Sequence, residues 1–257
     1  TVAYTYGVTG TTGVSVSLAV TSAQATGGSG SDTLIAIENL TGSNNNDTLT
    51  GNSAANILSG GAGIDTMTGG DGSDTYYVQD VGDLVSETNA TTTGGTDTVY
   101  STLSSYTLGT NVENGRILNT GAANLTGNSL NNVLYAGVGN NALDGGTGTD
   151  AVSYAYATAA VQVSLALTTV QATGGSGYDK LLGIENLTGS AYADSLTGNN
   201  LANVLDGGAG SDTMAGGNGS DIYYVRDVGD LVSETNPTTT RGNDLVLSTL
   251  SSYTLGT

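Results

Sequence analysis

A large apolar residue flanked by small or polar neighbours recurs along most of this chain, usually nine positions after the last. The first series is Leu34, Leu49, Leu58, Met67 and Tyr76. A second is Leu181, Leu196, Leu205, Met214 and Tyr223, and a middle set holds Leu134, Leu143 and Val152. A polar–apolar–polar triplet is a short strand with one side chain turned inward. No window carries a helical period, so the pattern predicts an all-β chain. Two such units, one strand each, make one coil. Coils stacked about 4.8 Å apart would line the apolar residues into ladders along a narrow core, as in a parallel β-solenoid.

The units begin at Gly27, Gly42, Gly51, Gly60 and Gly69, with a six-residue half-unit at 36–41 after the first. They begin again at Gly174, Gly189, Gly198, Gly207 and Gly216, with a half-unit at 183–188. A more degenerate set starts at Gly127, Ala136 and Gly145. A longer period encloses these. Residues 27–110 align without gaps to 174–257, an offset of 174 − 27 = 147, with roughly 60 of 84 positions identical. The chain therefore reads as a little under two tandem copies. The first long repeat is 1–147, made of a glycine-rich cassette at 27–78, a β segment at 79–120 and the degenerate cassette at 121–147. The second is 148–257 and incomplete, with its cassette at 174–225 and its β segment at 226–257. Every second unit should stack on one edge: Gly42 with Gly60, Gly51 with Gly69, Gly127 with Gly145, Gly189 with Gly207, and Gly198 with Gly216. The stretches 1–26 and 151–173 alternate cleanly (VSVSLAV, VQVSLAL) and are expected to be strands with one exposed face. In VENGRIL, Gly115 stands where the half-units have Leu, which predicts a local defect or a bulge in the core.

Composition sharpens this picture. The chain has 23 acidic residues against 4 basic ones, a net charge of −19. That disfavours nucleic acid and anionic membranes as partners and favours cations. The 41 glycines are periodic and sit beside alternating apolar residues, so they read as ordered turns and not as a linker. Without any Cys there is no disulfide staple for a narrow core, and a metal is the natural substitute. No apolar run is long enough to span a bilayer, so no membrane insertion is expected. The start at Thr1 and the stop at Thr257 in mid-pattern read as a piece of something longer.

The polar residues at the turns supply the chemistry. Units such as 60–68 and 69–77 have the form G-G-x-G-x-D-x-U-x, where U is large and apolar. The glycines permit a tight turn with carbonyls turned inward, and the Asp adds a carboxylate. Calcium takes six to eight oxygens of these kinds. The candidate ligands are the position-six acids Asp32, Asp47, Asp65, Asp74, Asp150, Asp179, Asp194, Asp212 and Asp221. The carbonyls of Gly28, Gly30, Gly61, Gly63, Gly70, Gly72, Gly146 and Gly148 would complete the shells. So would those of Gly175, Gly177, Gly208, Gly210, Gly217 and Gly219. The alternative is that the Asp side chains only cap turn amides. Asn56 and Asn203 replace the acid with a neutral ligand and predict weaker sites or hydrogen-bonded turns. Glu38 and Glu185 in the half-units either reach a metal or are solvated. The pairs Asp80/Asp83 and Asp227/Asp230 bind a further ion or cap a turn. The β segments, lacking the glycine pattern, are expected to have wide, metal-poor turns. Asn39, Asn46, Asn89, Asn124 and Asn186 sit in N-x-S/T sequons, and the Thr runs 91–93 and 238–240 are candidates for O-glycosylation.

The nonapeptides, the IENLTG half-unit and the DVGDLVSE segment together resemble the RTX (repeats-in-toxin) calcium-binding repeat family across nearly the whole chain. The resemblance implies a right-handed parallel β-roll with several calcium ions in its turns. It also implies export of an unfolded chain through a bacterial type I secretion channel and folding in extracellular calcium. Enzymes, toxins, adhesins and surface-layer proteins all carry such repeats, so fold alone does not choose a function. Catalysis is not expected here, because no His or Cys is present to act as base or nucleophile. The expected function is a calcium-dependent structural or adhesive repeat of a secreted or cell-surface protein, with further copies of the repeat as partners in a homopolymer. A secretion and folding module of a larger enzyme or toxin, or a polysaccharide-binding module using outward tyrosines such as Tyr77 and Tyr224, are the alternatives.

Overall fold

The computed structural model describes residues 1–6, 10–87, 94–234 and 242–255. The sequon at Asn89 and the Thr runs 91–93 and 238–240 lie outside them. The described residues form short strands and turns, with no helix among them. They divide into two compact units, Thr1–Leu118 and Asn119–Thr257.

In the first unit one parallel column runs through Val2–Ala3, Asn39–Thr41, Ile57–Ser59, Thr75–Val78, Thr98–Ser101 and Asn114–Ile117. A second holds Ser15–Ser17, Thr48–Thr50, Thr66–Thr68 and Leu84–Val85. The registers put like on like. Val2 pairs with Leu40, Leu40 with Leu58, Leu58 with Tyr76 and Tyr76 with Val99. In the other column Val16, Leu49, Met67 and Val85 align. Leu40, Leu49, Leu58, Met67, Tyr76 and Val99 are all buried. Nonapeptide alternation is thus converted into two apolar ladders, one for each half of the coil.

The second unit repeats the plan with three parallel columns. One contains Val133–Tyr135, Ala151–Ser153, Asn186–Thr188, Val204–Asp206, Ile222–Val225 and Leu245–Ser248, so that Leu134, Val152, Leu187, Leu205, Tyr223 and Val246 align. A second aligns Leu125, Leu143 and Leu181. The third aligns Val163, Leu196, Met214 and Val232. The degenerate cassette 121–147 therefore packs with the glycine-rich cassette that follows it. The boundary between compact units falls at 118/119, whereas the long repeat was divided at 147/148. A repeat has no intrinsic starting phase, so the two need not coincide.

Two features depart from the spacing argument. The units beginning at Gly27 and Gly174 are not turns of the roll. They are tips of antiparallel hairpins, Gln24–Gly27 with Gly30–Asp32 and Gln171–Gly174 with Gly177–Leu182. The second hairpin rests on the degenerate unit at Ala136, where Ser176 donates to the Gly137 carbonyl at 2.7 Å and the Tyr178 amide to Asn140 Oδ1 at 3.0 Å, and in both hairpins a glutamine pins the incoming strand. Gln24 brackets both the amide and the carbonyl of Ser17, at 2.8 and 2.9 Å. Gln171 does the same to Ser164, at 2.8 and 3.0 Å. The second concerns Gly115, where of the two alternatives the bulge does not form and the local defect does. Pairing runs unshifted from Thr98–Asn114 to Ser101–Ile117, so the strand continues with an inward side chain missing.

The sequon asparagines serve the stack. Asn39, Asn46 and Asn186 each accept the amide of the counterpart one coil on, Ile57, Ile64 and Val204, all at 2.9 Å. The buried ladders should dominate cohesion. Truncating fully buried Leu58 to Ala should cost about 2–5 kcal/mol, while the same change at its half-exposed neighbour Ile57 should cost much less. Urea unfolding of both variants in saturating calcium checks this, and equal losses would contradict the assigned inward face.

Candidate metal centre

The position-six residues form continuous polar columns beside the apolar ladders. At most of the acids one carboxylate oxygen accepts the backbone amide of the counterpart one coil back. Asp65 Oδ1 takes the Asp47 amide at 2.8 Å, and Asp83 Oδ1 takes the Asp65 amide at 3.1 Å. Asp74 takes Asn56, Asp97 takes Asp74 and Glu113 takes Asp97, each at 2.7 Å. In the second unit Asp212 takes Asp194 at 2.8 Å and Asp230 takes Asp212 at 3.0 Å. Asp221 takes Asn203 at 2.8 Å and Asp244 takes Asp221 at 3.0 Å. Asp150 takes Asn132 at 2.7 Å, and Glu185 of the half-unit caps Asp150 at 2.8 Å. The Glu185 side chain is thus a rung of the column, a role outside both expectations for it.

One oxygen per acid is spent this way, and the second sorts the candidates into two groups. Asp65, Asp74, Asp150, Asp212 and Asp221 each keep a buried Oδ2 with no hydrogen-bond partner. All five belong to units whose complete G-G-x-G-x-D forms a turn of the roll. There Gly61, Gly63, Gly70, Gly72, Gly146, Gly148, Gly208, Gly210, Gly217 and Gly219 all have positive φ. The orphaned oxygen lies over the first glycine of its own turn: a Cβ on Gly60 would collide with Asp65 Oδ2, and one on Gly207 with Asp212 Oδ2. Close stacking adds a second demand, since a Cβ on Gly61 would strike the Ser43 carbonyl one coil back.

The remaining candidates have their oxygens occupied by protein. Asp47 accepts from the Ser43 amide and hydroxyl and from the Val14 amide, and Asp194 accepts likewise from Ser190 and Val161. Their units, at Gly42 and Gly189, put Ser where the second glycine would stand. Asp32 and Asp179 are in the hairpins, where the hydroxyls of Thr26 and Thr173 bond them at 2.9 Å. Gly28 and Gly175 there lack positive φ, which falls instead on Gly27, Gly30, Gly174 and Gly177. Asn56 and Asn203 use both ends of the amide: Oδ1 accepts the Asn52 or Asn199 amide, and Nδ2 donates to the Glu38 or Glu185 carbonyl at 2.7 Å. The D-x-x-D pairs also cap amides. Asp83 Oδ2 takes those of Gln79 and Asp80 at 3.0 Å, and Asp230 Oδ2 those of Arg226 and Asp227 at 2.9 and 3.0 Å.

Burial without an opposing cation pushes these acids up. Asp65, Asp74 and Asp221 rise to about 6, chiefly through desolvation. The neighbouring anions Asp83, Asp47 and Asp80 add to the effect at Asp65, against the Asp47 amide it binds. Asp150 and Asp212 move in the same direction for the same first cause. A buried carboxylate oxygen with no donor is costly, and a hard cation is the group that such oxygens fit. The five orphaned oxygens, each beside a backbone turn that stacks on another, meet that requirement. The β segments, expected to be metal-poor, add further acids. Asp74, Glu87 and Asp97 bring carboxylate oxygens within 4.8 Å of one another, as do Asp221, Glu234 and Asp244. Sequence reasoning passed over Glu87, Asp97, Glu234 and Asp244. The available signal was the D-x-U triplet at Asp97 and Asp244, which persists without its glycines.

The profile of the RTX calcium-binding nonapeptide repeat matches four stretches, residues 41–76, 119–153, 181–200 and 188–223. No curated protein matches the chain. Among the described residues, no helix is long and apolar enough to cross a membrane.

Two outcomes are expected. Without metal, the raised acids hold more protons in the folded than in the unfolded chain, whose carboxyls titrate near 4. Folded stability should therefore fall as pH rises from about 4 towards about 8. In chelator, the β-type circular dichroism signal should be stronger at pH 5 than at pH 8, and the reverse order would refute the column assignment. Asp65→Asn keeps an acceptor for the Asp47 amide but removes the charge. Calorimetric titration should show one calcium site weakened on the order of tenfold.

Proposed function

From its RTX calcium-binding nonapeptide repeats, we propose that this chain is a calcium-dependent extracellular repeat of a larger secreted or cell-surface bacterial protein, structural or adhesive in role. The observation that carries the reading is the set of five buried, unpartnered Asp oxygens, each in a complete glycine turn. Asp65, Asp74, Asp150, Asp212 and Asp221 would hold the ions, together with carbonyls of the positive-φ glycines. Bound calcium would supply the positive charge that 4 basic residues cannot supply against 23 acids. Its binding free energy is then folding free energy. Low calcium inside the cell leaves the chain extended and fit for a type I channel, and calcium outside folds it.

Two nearly identical long repeats support the structural role over a secretion accessory, because an array lengthens by adding copies. A parallel roll ends in unpaired strand edges, so further copies of the repeat are the expected partners. Catalysis forms no part of this reading, since the chain has no His or Cys to act as base or nucleophile. The polysaccharide alternative has one observation in its favour. In the first unit Tyr77 and Tyr100 meet edge to face at 5.2 Å, and Arg116 lies 5.3 Å over Tyr100. The second unit has Tyr224 and Leu247 at the matching register, with Arg226 over Tyr224, so the aromatic pair is not repeated.

Circular dichroism of the chelated chain tests the reading. Calcium at sub-millimolar to millimolar levels should restore β signal cooperatively, and magnesium should not. Light scattering in the same titration should show association above the monomer. A β spectrum indifferent to chelator would remove calcium as the staple, and strict monomers at millimolar calcium would remove the homopolymer.

A further inference from the structure

In the two glycine-rich cassettes the last glycine turn, 69–74 or 216–221, is not followed by another one coil on. One coil past its first glycine, where the next turn would start, stand Glu87 (87 − 69 = 18) and Glu234 (234 − 216 = 18). The polar column continues through Asp97 and Asp244, which cap the amides of Asp74 and Asp221. Three carboxylates therefore converge in each copy, Asp74, Glu87 and Asp97 in one and Asp221, Glu234 and Asp244 in the other.

The first cluster is enclosed: Asp74, Glu87 and Asp97 are 1%, 4% and 2% exposed. Asp74 Oδ2 and Glu87 Oε2 point into it without any hydrogen-bond partner. The Tyr76 hydroxyl donates to Glu87 Oε1 and so fixes the direction of that carboxylate, and Tyr223 does the same for Glu234. The groups facing one another are acids. Glu87 is pushed up to about 8 by burial and then by Asp97 and Asp74, with the amides of Gly69 and Gly70 opposing. Asp97 rises to about 7 through burial, with Asp74 and Glu113 adding to it and the Asp74 amide opposing. Converging anions held in place by a tyrosine, with two oxygens turned into the space between them, form a receptor for a cation and make little sense as packing. The arrangement recurs at the end of the second cassette, more open to solvent, with Glu234 half-buried and Asp244 exposed.

We propose that each cassette is closed by a three-carboxylate cation site, Asp74–Glu87–Asp97 and Asp221–Glu234–Asp244, in which a hard ion takes the place of the missing next turn. The proposal rests on the reading that the glycine turns bind calcium, and it adds a different donor set. A turn offers mainly neutral carbonyls with its acid, while the closing site offers three charges. Affinity for calcium rises with ligand charge, so these two ions should be the last to leave.

Native mass spectrometry of the full chain in calcium, across a chelator series, tests this on wild type and on the E87Q/E234Q variant. The wild type should keep two ions after the others are lost. The variant should hold two fewer at saturation and lack the retained pair. Equal ion counts in both chains overturn the closing site while leaving the turns intact. A wild type that takes up no calcium removes the RTX reading itself, and the closing site with it. If the variant fails to regain β structure, crystals of the wild type soaked in terbium decide. Anomalous peaks between the three carboxylates support the site, and peaks confined to the glycine turns refute it.

Discussion

Most coils are tied to a neighbour by a carboxylate that accepts the amide of the counterpart one coil back. Where it forms, this bond helps set the register, because it fixes which residue stands over which. It also carries a cost. Stacking Asp83 on Asp65 and Asp65 on Asp47 places like charges along one buried line, where reduced dielectric amplifies their repulsion. The apolar ladders alone do not relieve that strain. Protons or cations must, and a hard cation fits these oxygen donors at neutral pH.

Sequence shows where the repulsion is managed without metal. Asn56, Asn132 and Asn203 alternate with acids, so Asp74, Asp150 and Asp221 each rest on a neutral rung. Ser43 and Ser190 offer amide and hydroxyl to Asp47 and Asp194, a second neutral solution. Complete glycine turns lack the serine, and their second Asp oxygen remains free, at Asp74, Asp150 and Asp221 even above a neutral rung. The substitution pattern within the nonapeptide is thus a record of which turns need an ion.

Much of this was legible before any coordinates. The inward series from Leu49 to Tyr76, the pairing of every second turn and the matching second cassette follow from a period of nine and the alternation of a strand. The hairpins at Gly27 and Gly174 were not legible. Their motif is complete, and what differs is that each is entered by an antiparallel strand, a tertiary condition. At Gly115 sequence left a defect or a bulge open, and the bonds on either side of it hold a strand straight through a position with no side chain. Glu87 and Asp97 were missed because extra residues inserted into the coil between Asp74 and Asp97 break the local pattern while leaving the contact intact. Spacing arguments see only uninterrupted periods, whereas loops can absorb extra residues at low entropic cost.

That tolerance has an evolutionary side. Successive rungs lie 18 positions apart in the regular coils, 16 apart from Asp97 to Glu113, and 23, 33, 35 or 38 apart where extra residues leave and return. Insertions of many lengths are therefore survivable at those exits. Within the regular coils only whole coils, gained or lost entire, preserve every partner. Loss of a single nonapeptide would transfer each later strand to the opposite column, so lineages of this chain should gain and lose sequence in pairs of nonapeptides. Slipped-strand replication or recombination between near-identical repeats would deliver such steps, and gene length in this array should be quantised accordingly.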